Sequence, residues 1–342
     1  MNILYGVSGE GFGHSSRAKE VINYLLQKGH KVLILTYGQA YPILKEYNPI
    51  KIEGVHVCYN KKGLSLNRTI FKNINVVIKN ITNWREISEK IKQFSPNIGI
   101  SDMEPIVPFF CYSKKVPLVS IDNQHRLTHI KLKIPKKYKK NYLLVKYFIR
   151  SCVPRADAYI ILSFIKEKTK KKNAFIVNPI LRKEILDVKP QEGDYILVYQ
   201  TKEDKRLIRI LKKIPEKFII YGYNKEKIDS NLIYKKDNFD FIKNLISAKA
   251  IIGTAGFTLI SEAIYLKKPY FAFPLKGQFE QTLNALFLKE YKIGDFSEEP
   301  TRKGIESFIK NLEIYKENLK NYNIDSKEIF KVLDKTIKEL EN

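Results

Sequence analysis

The chain is short of the residues that cross-link a fold or bind metal. Its 342 residues include three cysteines (Cys58, Cys111, Cys152), one tryptophan, two methionines and five histidines. Three is odd, and the cysteines stand far apart, so they give neither a disulfide framework nor a metal spacing. A reducing cytoplasmic setting without a metal site is the expectation. Uninterrupted apolar runs of about 18 residues are missing, which excludes a spanning helix. No charged leader with an apolar core precedes the strand that begins at Met1, so no signal peptide is expected. No motif recurs at solenoid spacing. Acidic residues are the minority charge: 36 Asp plus Glu stand against 61 Lys plus Arg, a net +25. Such a field attracts nucleic acid, anionic lipid or phosphorylated substrates. A general bias toward Lys, Ile and Asn produces the same number, so charge alone names no partner. Apolar content of 44% supplies ample core, and the length suits two domains.

Alternating apolar runs and helical periods divide the chain into two α/β halves joined near residues 178–185. In the first half, an apolar strand at 3–7 meets Ser8-Gly9-Glu10-Gly11-Phe12-Gly13-His14, and Ala18, Val21, Ile22, Leu25 and Leu26 then repeat with helical period up to Gly29. A second strand, 31–36, follows. This β–loop–α–β unit lacks the dinucleotide fingerprint: its glycine spacing differs, and Thr36-Tyr37-Gly38 stands where a ribose-binding acid belongs. Further strands are expected at 96–102, 116–121, 158–162 and 175–177, with a core-facing helix over 70–84. Asp102 ends one of these strands, and Asp122-Asn123-Gln124-His125 ends another. Polar clusters after strand C-termini are where α/β sheets bind ligands.

The second half repeats the alternation. Strands are expected at 195–199, 218–221, 250–252 and 270–273, and helices at 204–213, 240–247, 279–290, 301–311 and 323–341. Its organising stretch is Ala250-Ile251-Ile252-Gly253-Thr254-Ala255-Gly256-Phe257-Thr258-Leu259-Ile260-Ser261-Glu262. An apolar run stops at two glycines three residues apart and restarts with helical spacing. Glycine permits a sharp turn and close ligand approach, while the unpaired first N–H groups and the helix dipole favour an anion. Residues 131–150 combine eight Lys/Arg with Tyr138, Tyr142, Leu143, Leu144, Tyr147 and Phe148. That pattern suits an anionic membrane surface, stacking on nucleic-acid bases, or a helix with one solvated basic face.

Gly253-x-x-Gly256, Ser261-Glu262, Lys268-Pro269, Pro274 and Glu280-Gln281-x-x-Asn284-Ala285 together resemble the donor-site signature of GT-B glycosyltransferases. The nearest likeness is to family 28, the lipid II-forming N-acetylglucosaminyltransferase type, and related UDP-glycosyltransferases. Gly9-x-Gly11-x-Gly13-His14 resembles that family's glycine-rich loop, and Asn178-Pro179-x-x-Arg182 its interdomain motif. The resemblance implies two Rossmann-like domains whose parallel sheets face across a cleft. Residues 1–181 would form the acceptor-side domain and 182–321 the nucleotide-sugar domain, with a C-terminal helix, 322–342, packing back on the first. Gly253, Ala255, Gly256, Phe257 and Thr258 would then present backbone and hydroxyl groups to the diphosphate of a nucleotide sugar of the UDP type. Glu262 would take the ribose hydroxyls, and Glu280 and Gln281 the donor sugar, with Asn284 bracing them. His14 or Asp102 would be the general base; in the former case Asp102 would orient it. Gly11, Gly13, Asn123, Gln124, His125 and Arg182 would meet the acceptor. The diphosphate would leave stabilised by N–H groups and the helix dipole, with no metal and no cofactor beyond the donor itself.

Two departures from the family pattern matter. The second glycine-rich loop is replaced by Tyr199-Gln200-Thr201-Lys202-Glu203, and Glu280 stands where Gln or Asp is commoner. The leading expectation is therefore an inverting, metal-independent transferase acting on a glycan, lipid-linked or other hydroxyl acceptor, cytoplasmic and peripheral to the membrane through residues 131–150. A UDP-N-acetylglucosamine 2-epimerase on the same fold is the alternative, although its acid/base set does not assemble from the C-terminal half. A basic nucleic-acid-binding protein ranks third, since no helix-turn-helix or RNA-recognition aromatic signature accompanies the charge.

Overall fold

The computed structural model describes residues 1–54, 58–60, 63–64, 83–165, 167–169, 171–200, 203–236 and 240–341. The chain divides into two compact units, Met1–Ile180 with Asp325–Asn342, and Leu181–Ile324.

The strands of the N-terminal unit are β1 (Asn2–Val7), β2 (Lys31–Thr36), β3 (Ile50–Lys51), β4 (Tyr59–Asn60), β5 (Gly63–Leu64), β6 (Ile98–Asp102), β7 (Leu118–Asp122), β8 (Ala158–Leu162) and β9 (Ala174–Val177). Seven of them form one parallel sheet in the order β3-β2-β1-β6-β7-β8-β9, and β4 and β5 make a separate antiparallel pair. Helices cover both faces of such a sheet, which is why its strands read as continuous apolar runs. Ile3, Leu4, Tyr5 and Val7 of β1 are fully buried. Helix α1 (Phe12–Gln27) buries Ala18, Val21, Ile22 and Leu25, one stripe at helical spacing. It is followed by α2 (Ala40–Ile43), α3 (83–94), α4 (Ile106–Lys114), α5 (Arg126–His129) and α6 (Lys139–Cys152). Of the helix expected over 70–84, residues 70–82 lie outside the described residues. Helical structure in the basic stretch begins only after Pro135, whose ring cannot sit inside a helix.

The C-terminal unit contains α7 (Lys183–Leu186), β10 (Tyr195–Tyr199), α8 (Lys205–Leu211), β11 (Lys217–Tyr221), β12 (Lys227–Asp229), β13 (Leu232–Tyr234), α9 (Phe241–Ser247), β14 (Ala250–Gly253), α10 (Phe257–Tyr265), β15 (Tyr270–Ala272), α11 (Phe279–Glu290), β16 (Gly294–Phe296), α12 (Arg302–Lys310) and α13 (Leu312–Lys320). Its sheet runs β12-β13-β11-β10-β14-β15-β16, parallel except for β12. Ile196, Val198, Phe218, Ile220, Ile252 and Phe271 form the centre of its core.

Helix α14 (Glu328–Glu341) returns to the N-terminal unit and packs on β8 and β9. Ile329, Leu333 and Ile337 form its buried stripe. The Asn178 amide N–H and Nδ2 both donate to Glu328 Oε2, at 2.9 and 2.5 Å, which fastens the first turn of this helix. The helix expected from 323 to 341 is a shorter α14, and α13, which lies before that range, is an additional element.

Each main sheet reverses direction once. In the N-terminal unit the chain winds from β1 outward to β3, then restarts at β6 on the other side of β1. In the C-terminal unit the same reversal falls between β10 and β14. Loops leaving two such strands diverge, and the crevice between them is the ligand site of open α/β sheets. His14 and Asp102 follow β1 and end β6, and the Gly253–Phe257 turn leaves β14.

Candidate active site

The N-terminal crevice is shaped by glycines that no other residue can replace. A Cβ on Gly9 would fall 2.1 Å from the Tyr37 carbonyl oxygen, and Gly11, the residue before α1, has φ +89°. No side chain caps α1 there. Gly13 is half-buried in the first turn. One turn into the helix, His14 Nδ1 lies 2.7 Å from Asp102 Oδ1, so with its proton on Nδ1 the ring donates to the carboxylate and leaves the Nε2 lone pair free of that bond. His14 keeps 12% of its side chain exposed, whereas Asp102 has none.

Arg17, one turn further along α1, closes the cluster. Its Nε donates to Asp102 Oδ2 at 2.6 Å, its Nη2 to Asp102 Oδ1, and its Nη1 to Asn123 Oδ1 at 2.7 Å. Its Nη2 also lies 2.8 Å from His14 Nδ1. Burial by itself would raise the Asp102 pKa, but the Arg17 guanidinium, then His14, outweigh it and hold the carboxyl below its ordinary value. The next residue, Met103, sits at φ +55°, an uncommon conformation for a non-glycine residue. Glu104 then caps α4, accepting from the Ile106 and Val107 N–H groups at 2.8 and 2.9 Å. Burial dominates those bonds and pushes its carboxyl up to about 7.

Asn123, Gln124 and His125, expected to meet an acceptor, are 3, 9 and 1% exposed. Asn123 is taken by Arg17. His125 donates its backbone N–H to Asp122 Oδ1 at 2.7 Å, and its Nδ1 lies 2.6 Å from Asp122 Oδ2, which also accepts from Ser120 Oγ at 2.7 Å. Burial opposes ionisation of Asp122, yet His125 and these bonds hold it well below the carboxylate range. The His125 ring packs between those of His129 and Tyr159, at 5.4 and 4.8 Å. The Asn123 and His125 side chains thus bond within the protein, and Gln124 is buried beside them.

In the C-terminal unit, the two glycines of the organising turn differ in kind. A Cβ on Gly253 would meet Tyr270 Oη at 2.6 Å and the Tyr199 carbonyl at 3.0 Å, so this glycine is required by packing. A Cβ on Gly256 would meet nothing within 4 Å, and its φ of −69° and ψ of 136° suit any residue. The space above Gly256 is therefore open, and it lies at the start of α10, which no side chain caps. The turn's carbonyls point inward: Tyr270 Oη donates to the Thr254 oxygen at 2.6 Å, and Asn284 Nδ2 to the Ala255 oxygen at 3.0 Å. With these oxygens occupied, the turn offers an approaching ligand the N–H groups at the helix start. Ala255 is buried under Asn284, Phe257 is 7% exposed, and Thr258 is half-buried on the first turn of α10.

Glu262 is fully buried, and both its oxygens are occupied. Arg182 Nε and Nη2 donate to Oε1 and Oε2, each at 2.7 Å, a two-pronged ion pair. The sequence placed these residues on different ligands, ribose and acceptor; the structure brings them together. With no exposed carboxylate surface, Glu262 holds Arg182, whose side chain remains 32% exposed. Glu280 and Gln281 lie half-buried in the first turn of α11. Gln281 accepts from the Leu275 N–H at 3.0 Å and donates to Gln278 at 2.9 Å. Among the described residues, no group of three or more His, Cys, Asp or Glu side chains is placed to hold a metal ion.

The sequence profile of glycosyl transferase family 1 matches residues 1–313. The chain belongs to this family. It is similar to an uncharacterized glycosyltransferase of Methanosarcina acetivorans, 22% identical over 325 residues, covering 86% of this chain and 85% of the relative. A second, from Methanosarcina mazei, is 23% identical over 339 residues with the same coverage. Among solved structures, the kitacinnamycin glycotransferase superposes with a TM-score of 0.66 at 11% identity, covering 93% of each chain. The calicheamicin glycosyltransferase CalG4 does so with 0.64 at 14% identity, covering 93% of this chain and 92% of its own. The fold is accordingly GT-B, and the protein is a glycosyltransferase.

For this family 1 glycosyltransferase, sequence reasoning missed three side chains of the two crevices. Arg17 carries a signal, since it lies three residues after His14 and so on the same helix face. Tyr270 and Glu104 carry none: a tyrosine beginning a strand and an acid before Pro105 reveal their roles only when the fold sets them against Thr254 and α4.

Proposed function

We propose that this glycosyltransferase is inverting and metal-independent, moving a sugar from a UDP-type nucleotide sugar to a hydroxyl of a glycan, lipid-linked or other acceptor. The observation that carries this reading is the turn at Gly253–Phe257, whose carbonyls are bonded inward while open space lies over an uncapped helix start. That is a seat for a diphosphate. The exposed edge of Arg182 offers further N–H donors to a phosphate, a role wider than the acceptor contact first expected of it. Glu280 and Gln281, on the first turn of α11, supply side-chain donors and acceptors for sugar hydroxyls.

The proton transfer is assigned to the N-terminal unit. Asp102 is fully buried and engaged by Arg17 and His14, so His14 is the base and Asp102 orients it. The acceptor oxygen attacks the anomeric carbon from the face opposite the diphosphate, and its proton passes to His14 Nε2. The bond from the anomeric carbon to the diphosphate oxygen breaks, and the electron pair leaves with the diphosphate, which the N–H groups of the helix start stabilise. One displacement inverts the anomeric centre. The likeness to the family 28 donor signature supports a UDP-type donor.

The test is incubation with UDP-sugars, with and without candidate acceptors, followed by NMR of the product anomer. Inverted product, lost in His14→Ala, is expected. Retention, or conversion to the 2-epimer without an acceptor, would overturn it.

We also propose that the enzyme works at the cytoplasmic face of an anionic membrane. On α6, Leu143 and Tyr147 are 42 and 68% exposed, between Lys136, Lys137, Lys139 and Lys140 at one end and Arg150 at the other. Exposed apolar side chains ringed by cations match a lipid interface. Among the described residues no helix is long and apolar enough to cross a membrane. Reversing the charge of the four lysines should abolish co-sedimentation with phosphatidylserine vesicles; unchanged co-sedimentation would remove the proposal.

A further inference from the structure

We infer that Arg17 is a positioning residue of the transfer reaction: it keeps Asp102 ionised and aimed at His14, and ties both to the end of β7. This rests on the assignment of His14 as the base. Three strand ends meet at one guanidinium. Arg17 is rooted on α1, which follows β1; its Nε and Nη2 grip both oxygens of Asp102 at the end of β6, and its Nη1 reaches Asn123 just after β7. The side chain is 6% exposed and the carboxylate it grips is fully buried.

Chemistry makes this grip consequential. An isolated carboxylate in that position would take up a proton rather than remain charged without water. A protonated Asp102 can no longer fix the His14 proton on Nδ1, so Nε2 loses its defined role as acceptor. Besides Arg17, the groups bearing on Asp102 are His14 of α1 and Tyr5 of β1, and of these only His14 can add positive charge. The planar fork also fixes the angle of the carboxylate, which an ammonium cannot do. Sharing Asp102 between Arg17 and His14 makes the dyad dependent on the arginine for both its charge and its direction.

The experiment compares wild type with Arg17→Gln, Arg17→Lys, Asp102→Asn and the Arg17→Gln/Asp102→Asn double variant, in pH–rate profiles and donor titrations. In Arg17→Gln, kcat at neutral pH should fall by up to about tenfold and recover at higher pH, the acid limb moving up by about one pH unit. The donor Kd should stay within about twofold, because the donor is assigned to the other unit. Arg17→Lys should keep the acid limb and lose only part of kcat. In the Asp102→Asn background, Arg17→Gln should change kcat by less than about twofold, since no carboxylate remains to be held. A loss equal at all pH values, or a fully additive double variant, would overturn the inference. Urea denaturation between pH 3 and 8 reads the ion pair without turnover. The wild type should lose stability as acid protonates Asp102, and Arg17→Gln should lack that loss; parallel curves would also overturn it. Absence of any sugar transfer by the wild type would refute the proposed function, while denaturation would still decide the Arg17–Asp102 coupling.

Discussion

Exchanging each glycine of the donor turn for alanine separates folding from ligand binding. In Gly256→Ala the new methyl enters open space at an ordinary backbone geometry. Alanine gains ~0.4–1 kcal/mol by restricting the unfolded chain. It gives back a similar amount as a poorer helix N-cap than glycine, so stability should stay within about 1 kcal/mol of wild type. A diphosphate seated on the helix start would meet that methyl directly, and donor affinity should fall at least about tenfold, or ~1.4 kcal/mol. In Gly253→Ala the methyl would press on Tyr270 Oη at 2.6 Å and on the Tyr199 carbonyl at 3.0 Å. Relief would break the bond from Tyr270 to the Thr254 carbonyl. Overpacking and a lost buried hydrogen bond together make about 2–3 kcal/mol of destabilisation. Urea denaturation gives the first quantity, and calorimetric titration with a UDP-sugar gives the second. Wild-type donor affinity in Gly256→Ala would refute the reasoning, because no ligand would then use the space above that residue.

Other consequences follow from single side chains. His14→Ala should lower kcat by about 10²- to 10⁴-fold and leave the donor Kd within about twofold, as rate and titration measurements will show. Arg182→Ala strands the fully buried Glu262 and should cost about 3 kcal/mol of stability, most of it recovered in the Arg182→Met/Glu262→Gln double variant, both read by denaturation. Glu104 has a folded pKa of about 7 against an ordinary 4.5, so the folded state favours its protonated form. Its contribution is full below about pH 4.5 and is lost as pH rises through 7, on the order of 3 kcal/mol. Glu104→Gln should flatten that part of a stability–pH curve, and an unchanged slope would show that the group is not the cause.

The architecture was legible because buried parallel strands write themselves as apolar runs, and the long strands β1, β2, β6, β7, β8, β10 and β14 were all expected. What was missed is short or polar. Strands β12, β13 and β16 have three residues each, with Lys227-Ile228-Asp229 indistinguishable from a turn, and α13 falls between the two helices expected at 301–311 and 323–341. In the candidate site, glycine spacing marked the turn before α10, but not which glycine serves packing and which leaves space. That distinction needs the position of Tyr270, sixteen residues from Thr254. The pairing of Arg182 with Glu262 spans eighty residues and has no local signature. Burial was hidden too: Asn123, Gln124 and His125 are polar in sequence and interior in the fold.

The central claim is that the turn from β14 to α10 seats the diphosphate of a nucleotide sugar. The most direct measurement is a thermal-shift screen of UDP-, GDP- and dTDP-sugars on the wild type and Gly256→Ala side by side. Binding to the folded state raises the melting temperature according to ligand affinity. A UDP-sugar should raise it in the wild type and leave Gly256→Ala unmoved. No shift with any nucleotide sugar, or the same shift in both proteins, would contradict the account.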